Sequence, residues 1–263
     1  MVNILDVDNI SFEYSGRIVI EDIGFHAEPG EIIGILGPNG CGKTTLLKIL
    51  NRNLKAKTGT VCIEGDEIND ISKKDIAQRM AVVPQNNEIS FSFTVTDIVM
   101  MGRMPNLDRF EMESEDDLRI VFDAMEKCNV LQFADRFINH LSGGERQRAI
   151  IARALAQEPR VLLMDEPTLH LDVNHQIDML DMVRSLAMEK GLTVVIVSHD
   201  LSLAARYCDR LFLISEHHII ANGKVKDVLT PENMRRVFSI EAYLEDNERV
   251  GGPVVQIISS VKG

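Results

Sequence analysis

Residues 37–44, G-P-N-G-C-G-K-T, have the types and spacing of a loop that holds phosphates. Glycines let successive backbone N–H groups turn inward into a concave anion nest, which residues bearing a Cβ would crowd. A helix-compatible run starts at Lys43, so unsatisfied N–H groups and the positive end of a helix dipole would face the same anion. In this pattern Lys43 reaches the β- and γ-phosphates of a nucleotide, and Thr44 gives its hydroxyl to Mg²⁺. A second chemical signal is V-L-L-M-D-E-P at 161–167. Its apolar run suits a central strand, and the adjacent carboxylates that end it, Asp165 and Glu166, do not belong in a core. Strand ends of an open α/β sheet are where ligands bind. Asp165 suits Mg²⁺, which takes hard oxygen ligands, and Glu166 is placed to polarise water for attack on a γ-phosphorus. Taken alone, the same acidic pair also fits a cap on the following turn.

Such groups must be positioned by alternating strands and helices. Residues 2–36 read as short strands: Val2 and Ile4, then Ile10, Phe12 and Tyr14 alternate, as do Ile18, Ile20, Ile23 and Phe25 after a break at Ser15-Gly16. Pro29-Gly30 turns into the apolar run 32–36. A helix over 45–54, strands over 60–63 and 81–83, and a short helix over 73–79 follow. From 86 to 140 the pattern becomes helical, with one segment over 96–102 stopped by Pro105. A second starts at Ser114, where Asp117 completes a capping box and Leu118, Val121, Phe122 and Met125 share a face. We expect 86–140 to be an inserted helical subdomain, 1–85 with 141–240 the core and its antiparallel β subdomain, and 241–263 a tail. Helices over 143–156 and 174–188, strands over 161–164 and 193–197, and an antiparallel pair at 211–214 and 219–221 with a turn at Asn222-Gly223 continue the chain. A helix over 231–238 and a strand near 254–258 end it. Wholly apolar strands between amphipathic helices predict an α/β fold with a mostly parallel sheet covered on both faces.

The discriminating stretch is L-S-G-G-E-R-Q-R at 141–148. Ser142, Gly143 and Gly144 precede a helix, so a hydroxyl and backbone N–H groups would meet an anion at its N-terminus. With this motif between the 37–44 loop and the Asp165 strand, the chain resembles a nucleotide-binding subunit of an ABC transporter over essentially its whole length. The resemblance implies a P-loop NTPase of ABC type, ATP and Mg²⁺ as ligands, and a head-to-tail dimer of two copies with two ATP molecules at the interface. Gly37, Pro38, Asn39, Gly40, Cys41, Gly42, Lys43, Thr44 and Thr45 would cradle one ATP, and Ser142–Gly144 of the second copy would cap it. Tyr14 resembles the aromatic residue that stacks on adenine, although a lone strand tyrosine also suits sheet packing. Gln85 resembles the glutamine that contacts Mg²⁺ or the attacking water, and Asp172 the aspartate that couples the two sites. His199 resembles the histidine that contacts the γ-phosphate and orients Glu166. Cys41 stands where serine is commoner, and its alkylation should inhibit if the thiol is exposed. Leu169 and His170 depart from the small or polar residues usual there. His217 and His218 have no match and read as solvated hairpin residues; His140 and His170 receive no role.

Composition narrows the partners. The formal charge, 28 − 40 = −12, argues against nucleic acid or an anionic lipid surface. Few aromatics and no tryptophan leave no stacking platform for single strands. Cys41, Cys62, Cys128 and Cys208 form no CxxC pair, so neither a zinc knuckle nor a disulfide scaffold is indicated, and a reducing compartment fits. Without a long apolar run or a basic N-terminal segment, we expect a peripheral protein at the cytoplasmic face of the membrane. The stretch 91–107, with Gly102, Arg103 and Pro105 as G-R-x-P, and the stretch 229–238 resemble importers of iron–siderophores, haem and cobalamin. That resemblance implies separate transmembrane permease subunits and, through them, a substrate-binding protein. Molybdate or tungstate importers have similar ATPases, and a soluble ABC ATPase of an iron–sulfur assembly scaffold is the reading outside transport. DNA-repair or translation relatives would show a long coiled-coil insertion or a second phosphate loop, and neither is in this sequence; most exporters fuse their membrane segments to the ATPase.

Overall fold

The computed structural model describes residues 3–86, 91–108, 111–247 and 252–261. Val2 of the first expected strand, and 87–90 and 109–110 of the expected helical subdomain, lie outside the described residues. The N-terminal elements are β1 (Leu5–Tyr14), β2 (Arg17–Ala27), β3 (Ile32–Leu36), α1 (Lys43–Leu50), β4 (Thr58–Ile63) and β5 (Asp66–Glu67). The middle of the chain forms α2 (Lys73–Arg79), β6 (Met80–Val83), α3 (Val95–Met100), α4 (Glu115–Lys127), α5 (Gly143–Ala156), β7 (Val161–Asp165) and α6 (Val173–Lys190). It continues through β8 (Thr193–Ser198), α7 (Leu201–Tyr207), β9 (Arg210–Ser215), β10 (His218–Lys224), α8 (Val225–Val228), α9 (Pro231–Phe238), β11 (Ile240–Asn247) and β12 (Gly252–Ser260). Residue contacts divide the chain into two compact units, Met1–Asp70 with Thr193–Gly263, and Ile71–Leu192.

The first unit holds an antiparallel sheet in the order β2-β1-β4-β5 and a second group in the order β10-β9-β3-β8. In the latter, β3 runs parallel to both β8 and β9, and β10 is antiparallel to β9. Every residue of β3 and β8 is buried, which explains why their residues do not alternate between apolar and polar: a strand covered on both faces has no polar side. Leu36 is level with Ser198, so Gly37 and His199 leave neighbouring strands at the same end. The other end is tied down, with the Ile32 N–H donating to Asp209 Oδ2 at 2.9 Å and Arg210 Nε 3.3 Å from Glu31 Oε1.

The second unit pairs β6 with β7 in parallel, from Met80↔Val161 to Val83↔Met164. Its α3, α4 and α5 pack against one another. Helix α3 ends at Met100 and a 3₁₀ turn, Met101–Asn106, carries the chain through Pro105, so the proline lies inside the turn. This tight turn delivers Arg103 to a buried position between two helices. Its Nε donates to Asp117 Oδ1 at 2.8 Å, and its Nη1 to the Ala156 carbonyl at 2.7 Å and Glu158 Oε2 at 2.9 Å. The G-R-x-P element therefore clasps the start of α4 to the end of α5. Bonds from the Ser114 hydroxyl and N–H, reinforced by the Arg103 guanidinium, hold the Asp117 carboxyl down to about 2 from an ordinary 3.8. A depressed folded pKa gives stability that is complete above the unfolded value and lost as pH falls through the folded one. Wild-type protein should thus lose about 2 kcal/mol from this group between pH 4 and pH 2. In urea titrations at the two pH values, the loss for Asp117→Asn should be smaller than that of wild type by this amount.

Several boundaries differ from the sequence reading. Helix α1 stops at Leu50 because Arg52 takes a left-handed conformation, φ 56. On α4, Val121 and Met125 are buried, while Leu118 and Phe122 are 40% and 41% exposed. The narrower stripe is completed by Ala124 and the clasped Asp117. The β9–β10 turn falls at Glu216-His217, and Asn222-Gly223 lie within β10. Strand β12 is longer than expected and pairs with β11, a strand the sequence reading does not separate from the tail. Among the described residues, no helix is long and apolar enough to cross a membrane.

Candidate functional site

In the first unit, β3 delivers the chain to Gly37, where a Cβ would lie 2.2 Å from the Ile214 carbonyl oxygen. Glycine is required there by close backbone approach. Gly42 closes the loop at φ 104, the left-handed region, and is the N-cap of α1 without a side-chain capping bond. No side chain caps the start of α1, and a helix N-terminus of this kind suits an anion. Lys43 follows at the first helical position, 6% exposed, and its Nζ donates to the Gly37 carbonyl at 2.8 Å and the Pro38 carbonyl at 3.1 Å. An ammonium has three N–H donors, so one remains for a phosphate oxygen. The loop thus curls around its own lysine. Asn39, Gly40 and Thr44 are exposed and Thr45 is half-buried.

Cys41 is buried within this loop. Burial raises its pKa against the opposing pull of Lys43, so the thiol stays protonated near neutrality and is shielded. Iodoacetamide at neutral pH should leave Cys41 of the folded protein largely unmodified and label it fully after denaturation, as read by peptide mass. His199, exposed, follows the buried end of β8. The turn around it is set by the Asp200 N–H bonding Ser198 Oγ at 3.0 Å and by Asp200 Oδ1 capping α7 through the Ser202 and Leu203 N–H groups, both at 2.9 Å. Tyr14 ends β1, 48% exposed, with its ring and that of Phe12 in an edge-to-face arrangement at 4.8 Å.

In the second unit, Asp165 is the last residue of β7 and Glu166 the next, and both are buried. Glu166 has φ 49, a left-handed conformation that costs energy for a side-chain-bearing residue and concentrates at functional sites. Its carbonyl accepts from the Leu169 N–H at 3.1 Å, which fixes the turn. His170, also left-handed at φ 64, leads to Asp172, the exposed N-cap of α6, whose side chain makes no capping bond. Gln85 is exposed two residues beyond β6.

Ser142 is the N-cap of α5 in a full capping box with Glu145. The Glu145 carboxylate accepts from both the Ser142 N–H and hydroxyl, each at 2.8 Å, and these bonds lower its pKa. Sequence reasoning aimed the hydroxyl at an anion and missed Glu145, although S-x-x-E at 142–145 is a capping-box pattern. In this geometry the hydroxyl proton is committed to Glu145. Gly143 has open space around it, and Gly144 lies against the His175 ring of α6.

A family model described as "ABC transporter" matches residues 20–169. The cobalamin import ATP-binding protein of Halobacterium salinarum is 42% identical over 251 residues, covering 95% of this chain. The chain spans 63% of that relative's length. The iron(3+)-hydroxamate import ATP-binding protein of Bacillus subtilis is 37% identical over 261 residues, 99% of this chain and 97% of its own. Among solved structures, an inward-facing one assigned to the metal-chelate type of ABC transporters aligns with a TM-score of 0.86 at 28% identity, covering 98% of both chains. The expected α/β fold, with its phosphate loop, antiparallel N-terminal sheet and helical region, is borne out by this likeness. On the match across 20–169 and the end-to-end similarity to the hydroxamate protein, this chain belongs to the ABC transporter family.

Proposed function

We propose that this chain is an ATPase whose hydrolysis of MgATP drives import of a metal chelate, an iron–siderophore, haem or cobalamin, through separate permease subunits. The carrying observation is the match to relatives named as import ATP-binding proteins, end to end for the hydroxamate protein, in a chain whose 37–44 loop folds around Lys43 and leads into a helix with no side-chain cap. In this reading the amides of 37–45 and the Lys43 ammonium bind the triphosphate, and Tyr14 stacks on the base. Thr44, Asp165 and Gln85 supply the oxygen donors that suit Mg²⁺, which when bound neutralises charge on the β- and γ-phosphates. Glu166 takes a proton from the attacking water, and His199 orients it. Ser142, Gly143 and Gly144 cap the ATP of a second copy, and Asp172 couples the two copies. The subdomain assignment of 86–140 belongs to the same reading, as the part that meets the permease. The protein sits peripherally at the cytoplasmic face of the membrane, in contact with the substrate-binding protein only through the permease.

Affinity purification from detergent-solubilised membranes should recover a polytopic permease with this chain. In reconstituted vesicles its ATPase rate should rise when a chelate-loaded binding protein is added. Recovery of a soluble complex lacking any membrane protein would assign the chain to a soluble assembly scaffold instead.

A further inference from the structure

The β9–β10 hairpin is closed by a two-residue turn, since Ser215 pairs with His218. Its central residues, Glu216 and His217, have φ 50 and 74. Two left-handed residues in a hairpin normally call for Asn-Gly, so holding Glu and His there stores strain. What the turn does with that strain lies across from it, on β2. The His217 carbonyl accepts from the Glu21 N–H at 2.8 Å. His217 Nδ1 donates to the Val19 carbonyl at 3.1 Å, and His218 Nδ1 to the Glu21 carbonyl at 3.0 Å, carbonyls having no proton to give. The turn therefore grips β2 on both sides of Ile20, which is fully buried.

The gripped segment is the seat of the phosphate loop. A Cβ on Gly42 would lie 2.8 Å from the Val19 carbonyl oxygen and 2.6 Å from Ile20 Cγ2, so the last glycine of the loop rests on the peptide that His217 holds. Helix α1 begins at the next residue, Lys43. An anion nest binds well only when its amides are already aimed, and their aim is set here by what Gly42 leans on.

We propose that His217 is a positioning residue for nucleotide binding: through its bonds to β2 it fixes the Val19–Ile20 seat on which Gly42 and the first turn of α1 are held. The proposal rests on the reading of the 37–44 loop as an ATP site, and its test separates the two. His217→Gly relieves the left-handed strain and removes the donor. His217→Asn tolerates the same backbone and places an N–H where Nδ1 was, while His217→Asp has the same shape with no N–H. For the full chain we would measure the Kd for MgATP by calorimetry, Tm without nucleotide, and amide exchange over 41–46. We expect His217→Gly and His217→Asp to weaken MgATP by about 3- to 10-fold and to speed exchange over 41–46. His217→Gly should do so with an unchanged or higher Tm, and His217→Asn should stay within about twofold of wild type. A residue that merely closes a hairpin would give the glycine variant wild-type affinity and exchange, which overturns the proposal; so would equal behaviour of the Asn and Asp variants. If His217→Gly does not fold, the Asn/Asp comparison carries the test alone. Should wild-type protein fail to bind MgATP, the ATP reading falls, and exchange over 41–46 still decides whether His217 holds the loop.

Discussion

Glu166→Gln should leave MgATP binding intact and lower turnover by roughly 10²- to 10⁴-fold in the permease-bound protein, as measured by phosphate release. The substitution keeps the shape and the backbone of a buried, left-handed residue whose carbonyl accepts from Leu169, so the turn after β7 should survive it. What it removes is a carboxylate able to accept a proton from water. Because the proposed function assigns binding of the triphosphate to the loop and Lys43, affinity should move little while chemistry stalls. Nucleotide then accumulates unhydrolysed, and the variant should become a stable dimer by light scattering in MgATP. Turnover equal to wild type would remove Glu166 from the base role; a strictly monomeric, nucleotide-loaded variant in the presence of its permease would remove Ser142–Gly144 from the capping role.

Lys43→Ala should damage binding and turnover together. The Lys43 ammonium is 6% exposed and already spans the Gly37 and Pro38 carbonyls, so it organises the loop as well as offering a charge to the phosphates. A charge-assisted bond lost to a buried anion weakens MgATP by about 10- to 100-fold, and the freed carbonyls loosen the nest further. Calorimetry on the isolated chain reads the first effect, and phosphate release in vesicles the second. Lys43→Arg should not restore either, because a planar guanidinium does not replace a compact ammonium between two carbonyls. MgATP binding within twofold of wild type by Lys43→Ala would show that the loop holds its ligand without the lysine.

Much of the architecture was legible because its signals are local. The strands expected over 32–36, 161–164 and 193–197 lack polar alternation because both faces are covered, and β3, β7 and β8 lie there within a residue of expectation. The capping box read at Ser114 starts α4 where its side chain can reach the third N–H. Family membership followed from the order of 37–44, 141–148 and 161–167, and the relatives bear it out. Sequence reasoning missed β11, whose alternation of Ile240, Ala242 and Leu244 with Glu241, Tyr243 and Glu245 is short and gives way to Asp246 and Asn247; its partner is β12. Asn222-Gly223 has the composition of a turn, yet cross-strand pairing with Phe212 and Leu211 holds it extended and moves the turn to two residues that do not favour one.

The sequence by itself determined the chemistry that consecutive residues can encode: a nest of amides ending in Lys43, a carboxylate pair at a strand end, a serine and two glycines before a helix. Each depends on neighbours along the chain, so its pattern survives without coordinates. Only the tertiary structure decided how those groups are held. Cys41 is buried, the Ser142 hydroxyl is engaged by Glu145, Arg103 clasps α4 to α5, and a histidine pair without a motif supports the seat of Gly42. Except for the Ser142–Glu145 bond, these depend on residues separated along the chain, by as many as 198 positions for His217 and Val19. Burial and hydrogen-bond partnership at that range arise from packing, which no run of neighbouring residues specifies.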